Sequence, residues 1–203
     1  MIAIVDYGVG NLFSLVSSLK AIGYDAVITG DAEKLRQADK IILPGVGAFE
    51  DAIAKLRSTG LDVVVTQEAK NGKPLLGICL GMQMLFDKSF ENGEFEGLGL
   101  ISGEIISMQS TIPDTLKIPH IGWNALKFTN PSPLFSYIKD GDCGYFVHSY
   151  YAVQCDEAVI ATTEYGKDIT AAAAYKNIFG CQFHPEKSGA VGLDILKAFC
   201  EME

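Results

Sequence analysis

The sequence predicts an α/β protein: a doubly wound, mostly parallel sheet with helices on both faces and additional antiparallel strands in the C-terminal half. Three observations lead there. Between residues 2 and 86, short apolar runs alternate with segments whose apolar residues recur at helical spacing. That alternation builds strand–helix–strand units and a parallel sheet buried on both faces. From Gly97 to Gln182 the runs become β-like and are separated by turn formers such as Gly103, Pro113, Pro119, Gly122, Asn130-Pro131, Gly141, Gly166 and Gly180. No Gly-, Ser- or Pro-rich linker and no internal repeat divides the 203 residues, so a single domain over 1–203 is expected.

Taken in order, Ile2 to Asp6 reads as the first strand. Leu12 to Ile22 reads as a helix, because Leu12, Leu15, Val16, Leu19 and Ile22 share one face. Gly23 stops it, and Asp25 to Thr29 is the second strand. Lys40 to Leu43 is the third, running into Pro44-Gly45-Val46-Gly47, after which Ala48 to about Ser58 resumes a helical pattern. Leu61 to Lys70 contains Val63-Val64-Val65, which favours a strand, but its length and Gln67-Glu68-Ala69 favour a helix, the reading adopted. Pro74 to Cys79 is the next strand, followed by a helix through Met82, Leu85 and Phe86. A closing helix is expected from about Gly189 to Met202.

Composition narrows the function. Apolar residues make up 48% and charged residues 20%, the balance of a soluble globular protein. No apolar run approaches the ~20 residues needed to span a bilayer. Met1-Ile2-Ala3-Ile4-Val5-Asp6 has neither a basic n-region nor a small-residue cleavage site, so no signal peptide is expected and the protein should work in the cytoplasm. Sixteen Lys and Arg against 25 Asp and Glu give a net charge of −9, which argues against nucleic-acid binding as the main activity. The five cysteines, Cys79, Cys143, Cys155, Cys181 and Cys200, form no CxxC pair, so neither a disulfide framework nor a metal site is expected.

Gly77-Ile78-Cys79-Leu80-Gly81 stands where an apolar strand hands over to a helix. This is the nucleophile-elbow pattern with cysteine in place of serine. Glycines two residues either side avoid collisions in a strained turn, and the helix N-terminus favours a thiolate and supplies N–H groups for an oxyanion. Spacing alone also permits a small buried core cysteine. In Cys181-Gln182-Phe183-His184-Pro185-Glu186, a strand-like chain puts His184 and Glu186 on one side. There they would serve a thiol as base and orienting carboxylate. A hydrogen-bonded histidine near a surface glutamate is the plainer alternative. The glycines of Pro44-Gly45-Val46-Gly47 let backbone approach a ligand, or form an ordinary turn. Asp6-Tyr7-Gly8-Val9-Gly10-Asn11 opens like a dinucleotide fingerprint, but Phe13 stands at the third glycine position and no acidic residue clearly ends the second strand. Nothing matches a P-loop.

Together these residues resemble the class I (triad) glutamine amidotransferases, and within them the subfamily of glutaminase subunits of imidazole glycerol phosphate synthases. Six motifs carry the likeness. They are Asp6-Tyr7-Gly8-Val9-Gly10-Asn11, Pro44-Gly45-Val46-Gly47-Ala48-Phe49, Gly77-Ile78-Cys79-Leu80-Gly81-Met82-Gln83, Pro119-His120-Ile121-Gly122-Trp123-Asn124, Tyr145-Phe146-Val147-His148-Ser149-Tyr150 and Gln182-Phe183-His184-Pro185-Glu186-Lys187-Ser188. The resemblance implies that Cys79 attacks the glutamine carboxamide, with His184 as acid/base and Glu186 orienting it. It implies an oxyanion hole from the Leu80 N–H and the Val46-Gly47 backbone, and substrate binding by Gly47, Gln83, Ser149 and Tyr150. It implies no cofactor, and a heterodimer with a (β/α)8-barrel cyclase that receives the ammonia and makes imidazole glycerol phosphate. Trp123, Tyr145 and Lys187 are candidates for the partner face by motif position, although Trp123 could equally be a partly buried core residue. A paralogous ammonia-channelling synthase, a stand-alone cysteine amidohydrolase and a non-catalytic binding module on the same fold are the alternatives.

Overall fold

The computed structural model describes residues 1–202. Strand β1 (Ile2–Val5) is buried along its whole length and pairs in parallel with β2 (Ala26–Thr29) on one side and β3 (Lys40–Gly45) on the other. A strand covered on both faces has no solvent side, which is why Ile2-Ala3-Ile4-Val5 is an unbroken apolar run. Helix α1 (Leu12–Ala21) joins β1 to β2 and buries Leu15 and Leu19. Helix α2 (Ala32–Gln37) was not expected; its six residues are too short to show a helical period. Its start is marked by Asp31, whose side chain accepts from the Glu33 N–H at 2.8 Å. Helix α3 (Phe49–Ser58) follows β3.

Helix α4 (Leu61–Lys70) resolves the triple valine as helix. Leu61, Val64, Val65 and Ala69 form a buried stripe at helical spacing, while Val63 is left 64% exposed. Packing of that stripe outweighs the strand preference of β-branched residues. Strand β4 (Leu75–Cys79) is fully buried and passes directly into α5 (Leu80–Met84). The helix stops short of Leu85 and Phe86, which are nonetheless buried in the core.

The remaining strands are β5 (Lys88–Ser89), β6 (Phe95–Glu96), β7 (Glu104–Ser107), β8 (His120–Ala125), β9 (Lys127–Phe128), β10 (Cys143–His148), β11 (Tyr150–Val153), β12 (Val159–Glu164), β13 (Asp168–Tyr175) and β14 (Ile178–Cys181), and α6 (Gly189–Glu201) closes the chain. The main sheet runs β2-β1-β3-β4-β14-β13-β12-β9. Its first five strands are parallel and its last three antiparallel. The other strands do not extend this sheet; they form an antiparallel β10–β8 pair and a β11-β7-β5-β6 sheet in which only β5 and β7 run parallel. One core layer holds Leu43, Phe49, Leu56 and Phe86, and the opposite layer holds Ile4, Leu19, Phe179 and Phe199.

The Trp123 segment, expected as a turn, is strand β8, with Trp123 opposite Tyr145 of β10. Gly122 continues the strand at φ 146°, a conformation open to glycine and not to side-chain-bearing residues. A glycine after a proline thus imitated a turn. Among the described residues no helix is long and apolar enough to cross a membrane.

Register places the site. On β4, Cys79 lies opposite Gly45 of β3, and Ile78 lies opposite Cys181 of β14. The chain segments leaving β3, β4 and β14 therefore emerge side by side at the carboxyl ends of parallel strands, where ligands bind in such sheets.

Candidate active site

Cys79 is the hinge between β4 and α5 and adopts φ 54°, ψ −112°. A non-glycine residue at positive φ costs on the order of 1–3 kcal/mol, and such strain is held where the surroundings enforce it. The surroundings here are the flanking glycines. A Cβ on Gly77 would stand 2.8 Å from the Gly81 backbone, and a Cβ on Gly81 would stand 1.9 Å from the Leu43 carbonyl oxygen. The elbow can turn only because both positions lack a side chain. Gly81→Ala should therefore destabilise the protein by about 3 kcal/mol, read as a lower denaturant midpoint; an unchanged midpoint would mean the elbow is not held by this approach.

His184 and Glu186 do face a common site, but not along a strand as the sequence suggested. Pro185 begins a 3-10 turn, Pro185–Lys187, with His184 as its extended first cap. A proline with fixed φ is suited to that position and breaks the strand pattern. The turn is fixed by the His184 N–H donating to the Tyr145 carbonyl at 2.8 Å and by the Ser188 hydroxyl donating to the His184 carbonyl at 2.7 Å. His184 Nδ1 lies 2.8 Å from Glu186 Oε1, with the two side chains 3% and 4% exposed. Burial pushes the His184 imidazole down, but hydrogen bonds with Cys79 and Glu186 and their charges outweigh it and raise it to about 9. With Nδ1 engaged by the carboxylate, Nε2 is the nitrogen left for the thiol.

Cys79 and His184 open onto a cavity of about 420 Å³ whose wall also includes Val46, Gly47, Leu80, Gln83, Ser149 and Tyr150. Sequence-predicted residues from four separate motifs thus meet in one place. Glu186 stands behind His184, outside this wall. Leu80 opens α5, so its N–H has no acceptor within the helix. Gln83 Nε2 donates to the Tyr150 carbonyl at 3.1 Å and to Gln182 Oε1 at 3.0 Å, and Gln182 Nε2 donates to Cys79 Sγ at 3.8 Å. Tyr7, from the Asp6–Asn11 motif, is buried beneath the site and donates its hydroxyl to the Pro44 carbonyl at 2.8 Å, bracing the chain that leads to Val46 and Gly47. Burial, followed by the nearby Cys79, pushes its phenol well above the ordinary tyrosine range.

One wall residue, Glu91, lies outside all six motifs. Glu91 accepts from the Phe49 N–H at 2.9 Å, and burial raises its carboxyl more than this hydrogen bond lowers it. Nothing in Ser89-Phe90-Glu91-Asn92-Gly93 sets it apart, since its place depends on a contact 42 residues away. His148, which also lines the wall, stands within the Tyr145–Tyr150 motif. Burial pushes it down to about 4, partly opposed by its bond to the Tyr150 carbonyl and reinforced by His120 and His184. Trp123 is 64% exposed, its ring centroid lies 4.7 Å from that of Tyr145, and Lys187 Nζ lies 6.0 Å from the Tyr145 ring. The three candidate partner residues therefore form one surface cluster, and Lys187 also reaches the cavity wall.

A thiol at a strained turn, an imidazole held by a carboxylate and a backbone N–H at a helix start can together open an acyl bond through a covalent thioester. Solved structures of the same fold include a glutamine amidotransferase, with TM-score 0.77 at 19% identity over 99% of this chain and 98% of that one. Another is PurLQS from Thermotoga maritima, with TM-score 0.76 at 21% identity over 98% and 96%. In sequence, the chain is 51% identical to imidazole glycerol phosphate synthase subunit HisH of Caldanaerobacter subterraneus subsp. tengcongensis, over 100% of this chain and 98% of that protein. It is 49% identical to the same subunit of Geobacillus kaustophilus, over 98% and 95%. With residues 3–201 matching the family described as glutamine amidotransferase class-I, full-length relatives at this identity and an elbow cysteine facing a histidine–glutamate pair, the chain belongs to the class-I glutamine amidotransferases.

Proposed function

We propose that the chain, as a single glutamine amidotransferase domain over residues 1–203, is the glutaminase subunit of an imidazole glycerol phosphate synthase acting in the cytoplasm. The observation that carries the reading is that Cys79 and His184 line the same cavity while His184 Nδ1 is held 2.8 Å from Glu186 Oε1. Cys79 attacks the carboxamide of L-glutamine, His184 takes the thiol proton and returns it to the departing ammonia, and Glu186 holds the imidazole. The Leu80 N–H and the Val46-Gly47 backbone stabilise the oxyanion. Gly47, Gln83, Ser149 and Tyr150 hold the substrate, and the Glu91 carboxylate suits its ammonium group. Water then cleaves the glutamyl thioester and glutamate leaves.

The ammonia passes to a (β/α)8-barrel cyclase, the partner in a heterodimer. The relatives' name as subunits supports a partner, and the Trp123–Tyr145–Lys187 cluster beside the cavity supports its position. Exposed aromatic residues with a basic neighbour are common interface anchors. Docking there favours the arrangement in which the Val46-Gly47 peptide points N–H at the oxyanion, and activity rises by that differential affinity and no more. The chain alone should therefore turn over glutamine slowly, faster with the cyclase, and fastest with cyclase plus nucleotide acceptor. Equal turnover in all three states would discard the partner-switched reading in favour of a stand-alone amidohydrolase.

A further inference from the structure

Asn124, His120 and His148 have no part in the chemistry proposed above, yet they begin a continuous hydrogen-bond path that ends on the Cys79 sulfur. Asn124 follows exposed Trp123 on β8, and its Oδ1 lies 2.8 Å from His120 Nε2. His120 Nδ1 lies 3.1 Å from His148 Nε2, and His148 Nδ1 lies 2.8 Å from the Tyr150 carbonyl oxygen. The same carbonyl accepts from Gln83, which donates to Gln182, which donates to Cys79 Sγ. Both imidazoles are buried, and His120 is stacked between Phe146 and Tyr165 at centroid distances of 4.9 and 4.0 Å. Phenyl rings would fill this space without the desolvation that two imidazoles carry, so the polar pair calls for a function.

We propose that His120 and His148 are positioning residues: the pair sets the Tyr150 carbonyl, and with it the Ser149–Tyr150 wall of the cavity and the Gln83–Gln182 link to Cys79, while Asn124 ties that setting to the strand bearing Trp123. The proposal rests on the Cys79 site described above.

The atoms restrict how the path is occupied. The Tyr150 carbonyl only accepts, so His148 Nδ1 carries a proton. The bare Nε2 of a neutral His148 must then accept from His120 Nδ1. That leaves His120 Nε2 facing Asn124. With Asn124 Nδ2 donating to the Glu164 carbonyl at 3.2 Å and Oδ1 turned to His120, the path takes one further proton, on His120 Nε2. Without that proton the amide turns, gives Nδ2 to His120 and releases Glu164. The path has two settings that differ by one proton and one amide orientation. Burial opposes the extra proton on either ring, and the Asn124–Glu164 tie favours it. The titratable groups around the pair are His184 on the cavity side, Cys79 beyond the two glutamines, Glu164 through its carbonyl, and Tyr165, whose hydroxyl donates to the Lys117 carbonyl. Among the described residues no carboxylate bonds either imidazole.

Nitrogen-15 NMR of the full chain with labelled histidine tests the path directly. His148 should carry its proton on Nδ1, the tautomer that a free histidine side chain disfavours; a proton on Nε2 with Nδ1 bare would overturn the proposal. Asn124→Asp places a carboxylate, which cannot turn to donate, against His120 Nε2. Its half-buried position tolerates the change, and His120 should then keep its second proton to higher pH than in the parent. In the complex with the cyclase, the pH dependence of KM for glutamine should shift in Asn124→Asp and return in the Asn124→Asp/His148→Phe double variant. His148→Phe alone should raise KM about tenfold, the value of one net hydrogen bond of about 1.4 kcal/mol, with a smaller effect on kcat. An unchanged KM in a folded His148→Phe, or a pH shift persisting in the double variant, would overturn it. A parent complex without glutaminase activity would refute the Cys79 site, while the tautomers would still decide the path.

Discussion

Cys79→Ala should lower glutamine hydrolysis by at least about a thousandfold, the loss expected when a covalent nucleophile is removed, while the fold and ammonia-dependent synthesis by the complex survive. The fold survives because the strain at φ 54° is enforced by the close approaches at Gly77 of β4 and Gly81 of α5, not by the sulfur. Synthesis from ammonia survives because, in the proposed heterodimer, the cyclase chemistry lies on the partner. The other thiols provide the control. Burial pushes Cys155 up to about 11 and Cys200 up to about 12, and raises Cys181 as well, leaving them poor nucleophiles. Cys143 is exposed but far along the chain from the elbow, at the start of β10. A glutamine-like electrophile should therefore label Cys79. An active Cys79→Ala variant, or inactivation that follows labelling of Cys143, would end the assignment.

The sequence disclosed those parts of the molecule that depend on local pattern. Ile2-Ala3-Ile4-Val5 and Ile41-Ile42-Leu43 announce buried parallel strands because each lies inside one sheet with no solvent face. The elbow was legible because its steric demand falls on residues two positions away, and the closing histidine–glutamate pair because both members sit within three residues. What stayed hidden depends on distant contacts. Glu91 enters the cavity through Phe49, and the His120–His148 pair joins residues 28 apart across β8 and β10. Strands β5 and β6, at two residues each, are too short for a period. The strand reading of His184–Glu186 reached the right juxtaposition by the wrong geometry, since Pro185 turns the chain.

His184→Ala should cost nearly as much hydrolysis as Cys79→Ala, and the double variant little more than either, because nucleophile and base act as one unit. Glu186→Gln should cost less, on the order of a hundredfold: the amide oxygen can still accept from Nδ1, but the charge that favours the imidazolium is gone. Additive losses in kcat/KM would mean separate roles. Stability offers an independent reading of the same interaction. His184 is raised to about 9 in the folded protein from an ordinary value of 6.5, so its favourable contacts are fully present below pH 6.5 and are lost as the pH rises through 9. The unfolding free energy of the parent should exceed that of His184→Ala most at pH 6, and the gap should narrow towards pH 10. Glu186→Gln removes one of the two groups that hold the proton, so its gap should close at lower pH. A gap that widened with pH would place His184 below its ordinary value and remove the charged pairing with Cys79 and Glu186 from the mechanism.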